Sequence, residues 1–374
     1  MRLDKRTVLV FRGRLLAPSE TFIVEQAQAL RHYNPVLVGL RRIEPCLKHS
    51  LPEVVLRDGS GTWDKIAARA SLYAPVTPRF FRKLRVVNPS ILHAHFATDA
   101  AQALPIAKAF GLPLIVSLHG YDVTPSDADL AKSFSGRYYL SRRQQLFAYA
   151  SAFVCVSRSI REAALRAGFP EEKLHVHYTG VDCERFRPVT IERDPKLILF
   201  VGRLVKTKGC EYLLHAMSLV QQEDPRAHLE IIGDGPLRPA LEALAKKLAL
   251  HVRFRGVQDT HEVQRRMSRA RVLCNPSVKA EGFGMVFAEA QAVGTPVVSC
   301  MHSAIPEAVS HGETGLLCPE EMPGPLAAAL LAFLKDEDFW KRASARSITW
   351  VREYFDIAKQ TVKLEWLYDE CRNK

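Results

Sequence analysis

Leu197-Ile198-Leu199-Phe200-Val201-Gly202-Arg203-Leu204-Val205-Lys206-Thr207-Lys208-Gly209 reads as an apolar strand, a glycine turn and the approach to a helix. Five apolar residues in unbroken succession are the pattern of a strand covered on both faces. Gly202 permits a tight turn, and a helix is predicted from near Cys210. The same rhythm continues downstream at Leu229–Gly233, Val252–Gly256, Arg271–Pro276, Pro296–Cys300 and Gly315–Cys318. Upstream it occupies Thr7–Phe11, Pro35–Leu40, Glu53–Arg57, Ser90–Phe96, Pro113–His119, Ala152–Ser157 and Leu174–Tyr178. One intervening helix carries a capping-box pattern, Ser159 with Glu162 three residues on, and ends at Gly168. Strands alternating with helices in both halves predict two α/β domains with doubly wound parallel sheets.

The predicted division is residues 1–188, 189–350 and a terminal helix over 351–374, with Phe186–Pro195 as the linker. The terminal helix would either cap the second domain or cross back to the first. A length of 374 residues suits two domains rather than one core. With 47% hydrophobic and 25% charged residues, the chain is neither disordered nor fibrous. No apolar run approaches the roughly 18 residues of a membrane span, and Met1–Val10 carries only a four-residue apolar stretch, short of a secretory signal. Eight cysteines without a C-x-x-C pair predict reduced thiols and a cytoplasmic protein. The net charge of +12 is uneven: residues 1–190 hold 27 Lys/Arg against 16 Asp/Glu, and the remainder 25 against 24. That asymmetry suits an anionic membrane or substrate as well as a polynucleotide.

Ligands of such sheets bind beyond the carboxyl ends of the strands; with two sheets facing each other, the site is expected in a cleft between the domains. The turns after the strands are therefore the candidates. Glu281-Gly282-Phe283-Gly284-Met285-Val286-Phe287-Ala288-Glu289 is a glycine turn that opens a helix. Amides near Gly282, Phe283, Gly284 and Met285 would suit a phosphate. Glu281 and Glu289 could accept hydroxyl groups on either side, or be merely a favourable N-terminal acid and a surface acid. Arg203 and Lys208 could converge on a diphosphate, or form a basic surface turn. Ile231-Ile232-Gly233-Asp234-Gly235-Pro236 reads first as an ordinary strand–helix turn. In the first half, Phe11-Arg12-Gly13-Arg14 and His119-Gly120-Tyr121-Asp122 occupy corresponding edges. Neither G-x-G-x-x-G nor a P-loop is present at these turns.

Together these stretches resemble the GT-B retaining glycosyltransferases of family 4, over nearly the whole chain. The carrying motifs are GRL-x4-KG at Gly202–Gly209, IIGDGP at Ile231–Pro236, EGFG with the second acid at Glu281–Glu289, TGVD at Thr179–Asp182, IPEAV at Ile305–Val309 and HGETGLL at His311–Leu317. PSETFI at Pro18–Ile23, HAHF at His93–Phe96 and HGYD at His119–Asp122 resemble the exopolysaccharide enzymes of colanic-acid and amylovoran type. The resemblance implies a GT-B fold of two Rossmann-like domains facing across a cleft, with the acceptor on the first and a nucleotide-sugar on the second. It implies that Arg203 and Lys208 neutralise the donor diphosphate, Glu281 binds the sugar hydroxyls and Glu289 the ribose. His119 would contact the sugar near its anomeric carbon, and Gly13 the diphosphate through its backbone. One departure is His302-Ser303-Ala304 before IPEAV, where the family often has glycine.

The expected reaction is transfer of a hexosyl unit from UDP- or GDP-hexose to a polyprenyl-diphosphate-linked saccharide, with retention and with neither metal nor cofactor. Arg203, Lys208 and the helix N-terminus would stabilise the leaving diphosphate. Asp127-Ala128-Asp129 has the spacing of a metal motif but lies away from any glycine turn; the pairs His93/His95 and His175/His177 lack a third ligand. The segment 78–87 gathers Phe80, Phe81, Leu84 and Val87 on one side and Arg79, Arg82, Lys83 and Arg85 elsewhere, the make-up of an interfacial helix. Arg137-Tyr138-Tyr139 to Arg142-Arg143 adds a second basic-aromatic cluster. Peripheral attachment to the inner membrane face is therefore expected, with no nucleic-acid partner. A sugar-nucleotide epimerase or hydrolase on a similar fold, and a nucleic-acid-binding protein supported by charge alone, are the alternative readings.

Overall fold

A computed structural model describes residues 5–17, 20–57, 61–63, 66, 70, 78–278 and 281–373. Pro18 and Ser19 of the PSETFI stretch therefore lie outside the described residues. The chain divides into two compact units, Met1–Gly180 with Ile357–Lys374, and Val181–Asp356.

In the first unit the strands are β1 (Arg6–Phe11), β2 (Arg14–Leu15), β3 (Tyr33–Arg42), β4 (Glu53–Arg57), β5 (Pro89–His95), β6 (Leu114–Leu118), β7 (Ala152–Cys155) and β8 (Leu174–Val176). They form one sheet in which β3 pairs with β4 and β1, and β1 leads through β5, β6 and β7 to β8. Every pairing is parallel. The short β2, which no sequence pattern reveals, continues β1 along β3 after an interruption at Arg12 and Gly13: Arg14 stands opposite Arg41 and Leu15 opposite Arg42. The central strands are buried through Val8–Phe11 and Leu114–Leu118, as unbroken apolar runs require.

The second unit contains β9 (Leu197–Val201), β10 (His228–Ile232), β11 (Val252–Gly256), β12 (Val272–Asn275), β13 (Val297–Cys300) and β14 (Gly315–Cys318). Their order is β11-β10-β9-β12-β13-β14, again parallel throughout. Its core joins Ile198, Phe200, Leu229 and Val272 to Leu213, Met217, Leu330 and Phe333 from the helices Cys210–Glu223 and Pro323–Lys335.

The units divide at 180/181, eight residues before the boundary read from the sequence. The reason is that the proline- and charge-rich segment is packed rather than a free linker. Phe186 is buried, and Arg193 donates to the Val293 and Ala270 carbonyls and to Thr295 Oγ1. The terminal region is two helices, Glu337–Tyr354 and Ile357–Asn373. The second places Leu364, Leu367, Tyr368 and Cys371 in the core of the first unit. Gly180 is required where that helix starts, because a Cβ there would lie 2.4 Å from Ile357 Cα.

The helix after β7 is capped by Ser157, not Ser159. The Ser157 side chain accepts from the Ile160 amide at 3.1 Å. Two residues fewer precede the helix because β7 ends at Cys155; Gly168 does take the left-handed conformation at its end, φ 80°.

Candidate functional site

In the second unit the glycines are spent on close backbone approach. The Gly202 amide donates to the Ile232 carbonyl at 2.9 Å, and the Leu204 amide to the Asp234 carbonyl at 2.9 Å. A Cβ on Gly233 would lie 1.9 Å from the Gly202 oxygen, and one on Gly235 2.5 Å from the Leu204 oxygen. The IIGDGP turn is therefore the buttress that holds the GRL turn. Gly209, at φ 65°, lies against the Pro276 carbonyl, and the Val278 amide donates to Thr207 at 3.0 Å. These contacts bring the turn after β9 beside the turn after β12.

The consequence is chemical. Lys208 Nζ donates to Glu281 Oε2 at 2.5 Å, both groups half-buried, and Ser277 Oγ donates to the same oxygen at 3.3 Å. Arg203 is exposed, with no carboxylate paired to it among the described residues. Gly284, at φ 82°, precedes the helix Met285–Ala292, whose first-turn amides lack intrahelical partners. Phe283 is buried and packs its ring against Phe355 at 4.9 Å, so this residue supplies the site with backbone only. Glu289 lies one turn into the helix and is half-buried. Two cations, a carboxylate and a helix N-terminus thus share one rim of this unit.

The departure from glycine before IPEAV is accommodated one residue earlier than the sequence suggests. Ala304 has an ordinary φ of −83°, while Ser303 takes the left-handed value of 51°. Its hydroxyl donates to the Glu281 carbonyl at 3.1 Å, offsetting the strain and tying this loop to the EGFG turn.

In the first unit the turns after β1, β5 and β6 converge on buried polar groups. Arg12 pairs with Glu20 at 2.7 Å and with Asp99, and its guanidinium lies over the Phe96 ring at 4.4 Å. Burial alone would lower the Arg12 pKa, but Asp99 and Glu20 outweigh it and raise it. The Gly13 amide donates to Asp99 Oδ2 at 2.7 Å, so an incoming anion reaches that amide only by displacing the carboxylate. Asp99 carries no local sequence signal for this role, since its pairing to Arg12 spans 87 residues, whereas Glu20 lies eight residues from Arg12 within the PSETFI stretch.

His119 Nε2 meets His95 Nδ1 at 3.0 Å, and its ring packs on Phe22 and Phe96. Desolvation, with Arg12 and His93 nearby, lowers its pKa to about 3, leaving a neutral imidazole. His93 bonds Tyr368 at 2.6 Å and Ser117 at 2.8 Å, and desolvation with the neighbouring His177 lowers it to about 3. Asp122 fixes the HGYD turn: one oxygen accepts from the His119 and Gly120 amides, the other from Ala97. Burial pushes its pKa up to about 6 against those hydrogen bonds. The last letter of the HGYD motif was the available signal for this residue. Phe96 is held at φ 72° between the Ser117 carbonyl, which its amide reaches at 2.8 Å, and the Arg12 and His119 side chains.

Other candidates are absorbed locally. Asp127 pairs with Arg143 at 2.8 Å and Asp129 with Lys132 at 2.6 Å. His177 Nε2 bonds the Gln360 carbonyl at 2.8 Å, and His93 and His95 stack at 4.7 Å. The helix Pro78–Val86 does not offer its apolar face to a bilayer: Phe80 and Leu84 are buried, and Phe81 stacks on Phe110 at 5.3 Å. Tyr138 and Tyr139 of the second basic-aromatic cluster are buried as well. No disulfide joins any of the eight cysteines, which all lie among the described residues.

Two Rossmann-like parallel-sheet units in one chain, with glycine turns at the strand ends, define the GT-B class of fold. The structure of Anabaena HepE in complex with UDP and glucose superposes with a TM-score of 0.78 over 98% of this chain and 100% of that one, at 17% identity. The chain belongs to the family 4, group 1 glycosyltransferases. Residues 183–350 match the model described as Glycosyl transferases group 1, and residues 19–185 the one described as Glycosyltransferase Family 4. WcaL of Escherichia coli (strain K12), named as a colanic acid biosynthesis glycosyltransferase, is 33% identical over 224 residues, 58% of this chain and 53% of its own length. The amylovoran biosynthesis glycosyltransferase AmsK of Erwinia amylovora is 29% identical over 284 residues, 72% of this chain and 67% of its own. The chain thus spans about half to two thirds of these curated relatives.

Proposed function

We propose that the chain is a retaining hexosyltransferase of exopolysaccharide or cell-surface polysaccharide synthesis. It takes the sugar from UDP- or GDP-hexose and passes it to a polyprenyl-diphosphate-linked saccharide, without a metal. The observation that carries this reading is the Lys208–Glu281 pair on the same rim as exposed Arg203 and the Met285 helix start. A cation held against an acid suits a donor with both charge and hydroxyls: the diphosphate takes Lys208 and Arg203, and sugar hydroxyls take Glu281. Gly282, Phe283, Gly284 and Met285 supply backbone, and Glu289 takes the ribose. The UDP and glucose of the HepE structure support this class of donor, and the names of WcaL and AmsK support the pathway class.

Transfer builds positive charge on the sugar and negative charge on the departing diphosphate, which Arg203 and Lys208 offset. The neutral imidazole of His119 suits contact with a sugar, and Gly13 adds backbone there. Retention follows a same-face route, with the leaving phosphate helping to deprotonate the acceptor; a covalent sugar adduct trapped on a side chain would contradict it. No described helix is long and apolar enough to cross a membrane. Attachment to the inner membrane face would be electrostatic, through exposed Arg79, Lys83 and Arg85. Thermal shift with UDP and GDP, then turnover with a panel of their hexoses, tests the reading. Replacing Arg203 or Lys208 by Gln should each cost about 10²–10³ in rate; undiminished turnover in the double variant would refute it.

A further inference from the structure

The order β11-β10-β9-β12-β13-β14 reverses at β9: the chain builds outward to β10 and β11 on one side, then crosses to β12 on the other. In open parallel sheets such a switch point opens a crevice beyond the carboxyl ends of the strands. The register shows where the two central strands part. β9 pairs with β10 as far as Val201, which stands opposite Ile232. Against β12 the register places Val272 opposite Ile198 and Leu273 opposite Leu199, and it ends there, short of Val201.

The N–H and C=O of Val201 therefore face the parting rather than a strand backbone. Asn275, the last residue of β12 and 1% exposed, supplies their partner. Its Nδ2 donates to the Val201 carbonyl at 2.8 Å, and its Oδ1 accepts from the Val201 amide at 3.3 Å. A side-chain carboxamide carries both a donor and an acceptor, so it continues the ladder where the backbones separate; a reversed amide would set donor against donor. The next residue is Gly202, where a Cβ would lie 3.3 Å from Asn275 Nδ2. The backbone of Asn275 fixes the other bank of the crevice. Its carbonyl accepts from Ser299 Oγ at 2.6 Å and from the Ser277 amide at 2.9 Å, and Ser277 Oγ donates to Glu281 Oε2 at 3.3 Å.

We propose that Asn275 is a positioning residue for nucleotide-sugar binding: its carboxamide sets the width of the crevice between the turn carrying Arg203 and Lys208 and the turn carrying Glu281. It acts through the backbone of Val201 and through Ser277 rather than on the donor itself. This inference rests on the donor reading above and adds the group that holds its two turns in place.

Calorimetric titration of the full chain with UDP and GDP, below the melting temperature of every variant, tests it. Thr295→Val is the structural control. Thr295 is buried ahead of β13, at the amino-terminal edge of the sheet, and its Oγ1 donates to the Met267 carbonyl at 2.6 Å, so the isosteric valine lowers Tm without reaching the crevice. Asn275→Ala should weaken binding of the preferred nucleotide about tenfold or more, and Thr295→Val should leave it within about twofold of the parent. Equal loss in the two variants overturns the proposal. Asn275→Asp keeps the shape of the side chain, which guards against a variant that fails to fold. When ionised it can only accept; burial raises its pKa, and the protonated acid regains an O–H donor for the Val201 carbonyl. Its deficit relative to the parent should therefore be largest near about pH 8 and shrink toward about pH 5, and a deficit independent of pH overturns the positioning role. A parent chain that binds neither UDP nor GDP refutes the donor reading itself; a parent that binds, with Asn275→Ala binding as tightly, refutes the positioning role alone.

Discussion

Gly209→Ala isolates the backbone contact on which the proposed donor site depends. Two costs are separable there. A non-glycine residue at φ 65° carries strain of about 1–2 kcal/mol. The new methyl would also lie 1.9 Å from the Pro276 oxygen and 3.3 Å from Val278 Cγ1, so the turns after β9 and β12 must part. Parting them weakens the 3.0 Å bond from the Val278 amide to Thr207, worth about 1 kcal/mol, and draws Lys208 from Glu281. A total of about 2–4 kcal/mol follows. For a unit of this size it lowers Tm by about 4–15 °C. Gly312→Ala is the control within the same unit: its φ is 81° with nothing within 4 Å of the added Cβ, so it carries the strain without the collision. Calorimetric melting and UDP titration of both variants should show the larger Tm loss, and the weaker nucleotide binding, only for Gly209→Ala. Equal behaviour of the two would refute the close-approach argument.

Two further outcomes concern the first unit and pH. His93 is sealed and its pKa is down at about 3, so its contribution to stability is present above its unfolded value near 6.5 and is lost as pH falls toward 3. By pH 5 that amounts to about 2 kcal/mol, with His95 and the less enclosed His119 acting in the same direction; thermal melts should show the first unit losing Tm between pH 7 and 5, and a flat profile would contradict the buried neutral imidazoles. Asp122 works the other way: its folded pKa of about 6 lies above the unfolded value, so its contribution is present at low pH and is lost as pH rises through 6. Asp122→Asn removes that compensation and should steepen the acid loss by about 1.4 kcal/mol per pH unit between 6 and 4, whereas parallel Tm–pH curves for variant and parent would refute the assignment.

Much of the fold was legible because it rests on local pattern. Unbroken apolar runs marked the buried strands, and glycines marked the turns after β9 and β10. What escaped was non-local. β2 is two residues long and has no period. Arg12 meets Asp99 only because β1 and the helix Ala97–Phe110 adjoin in space. The 78–86 helix displayed the correct apolar side, but composition does not say whether such a side meets lipid or its own sheet; Phe110 settles it for Phe81. Glycine was expected before IPEAV as a conformational need, and the need is real but falls on Ser303, whose hydroxyl partner is a carbonyl 22 positions away.

The candidate sites of the two units are made by different means, and this bears on how each tolerates change. In the second unit, Gly209, Gly233 and Gly235 let carbonyls and turns touch, and the charged groups ride on that backbone. Those charged side chains can be exchanged without moving the frame, but an added Cβ at Gly209, Gly233 or Gly235 cannot be absorbed by a flexible side chain, because the atom it meets is backbone. In the first unit the frame is itself ionic and aromatic: Asp99, Glu20 and Asp122 hold the turns, and His93 joins the terminal helix to the sheet through Tyr368. A frame of that kind responds to protons and to single-atom changes such as Asp→Asn. The physical basis is that a low-dielectric interior makes an unmatched polar group costly, whereas a backbone contact is indifferent to charge. Acid should therefore loosen the first unit before the second, and a small side chain in place of glycine should damage the second most.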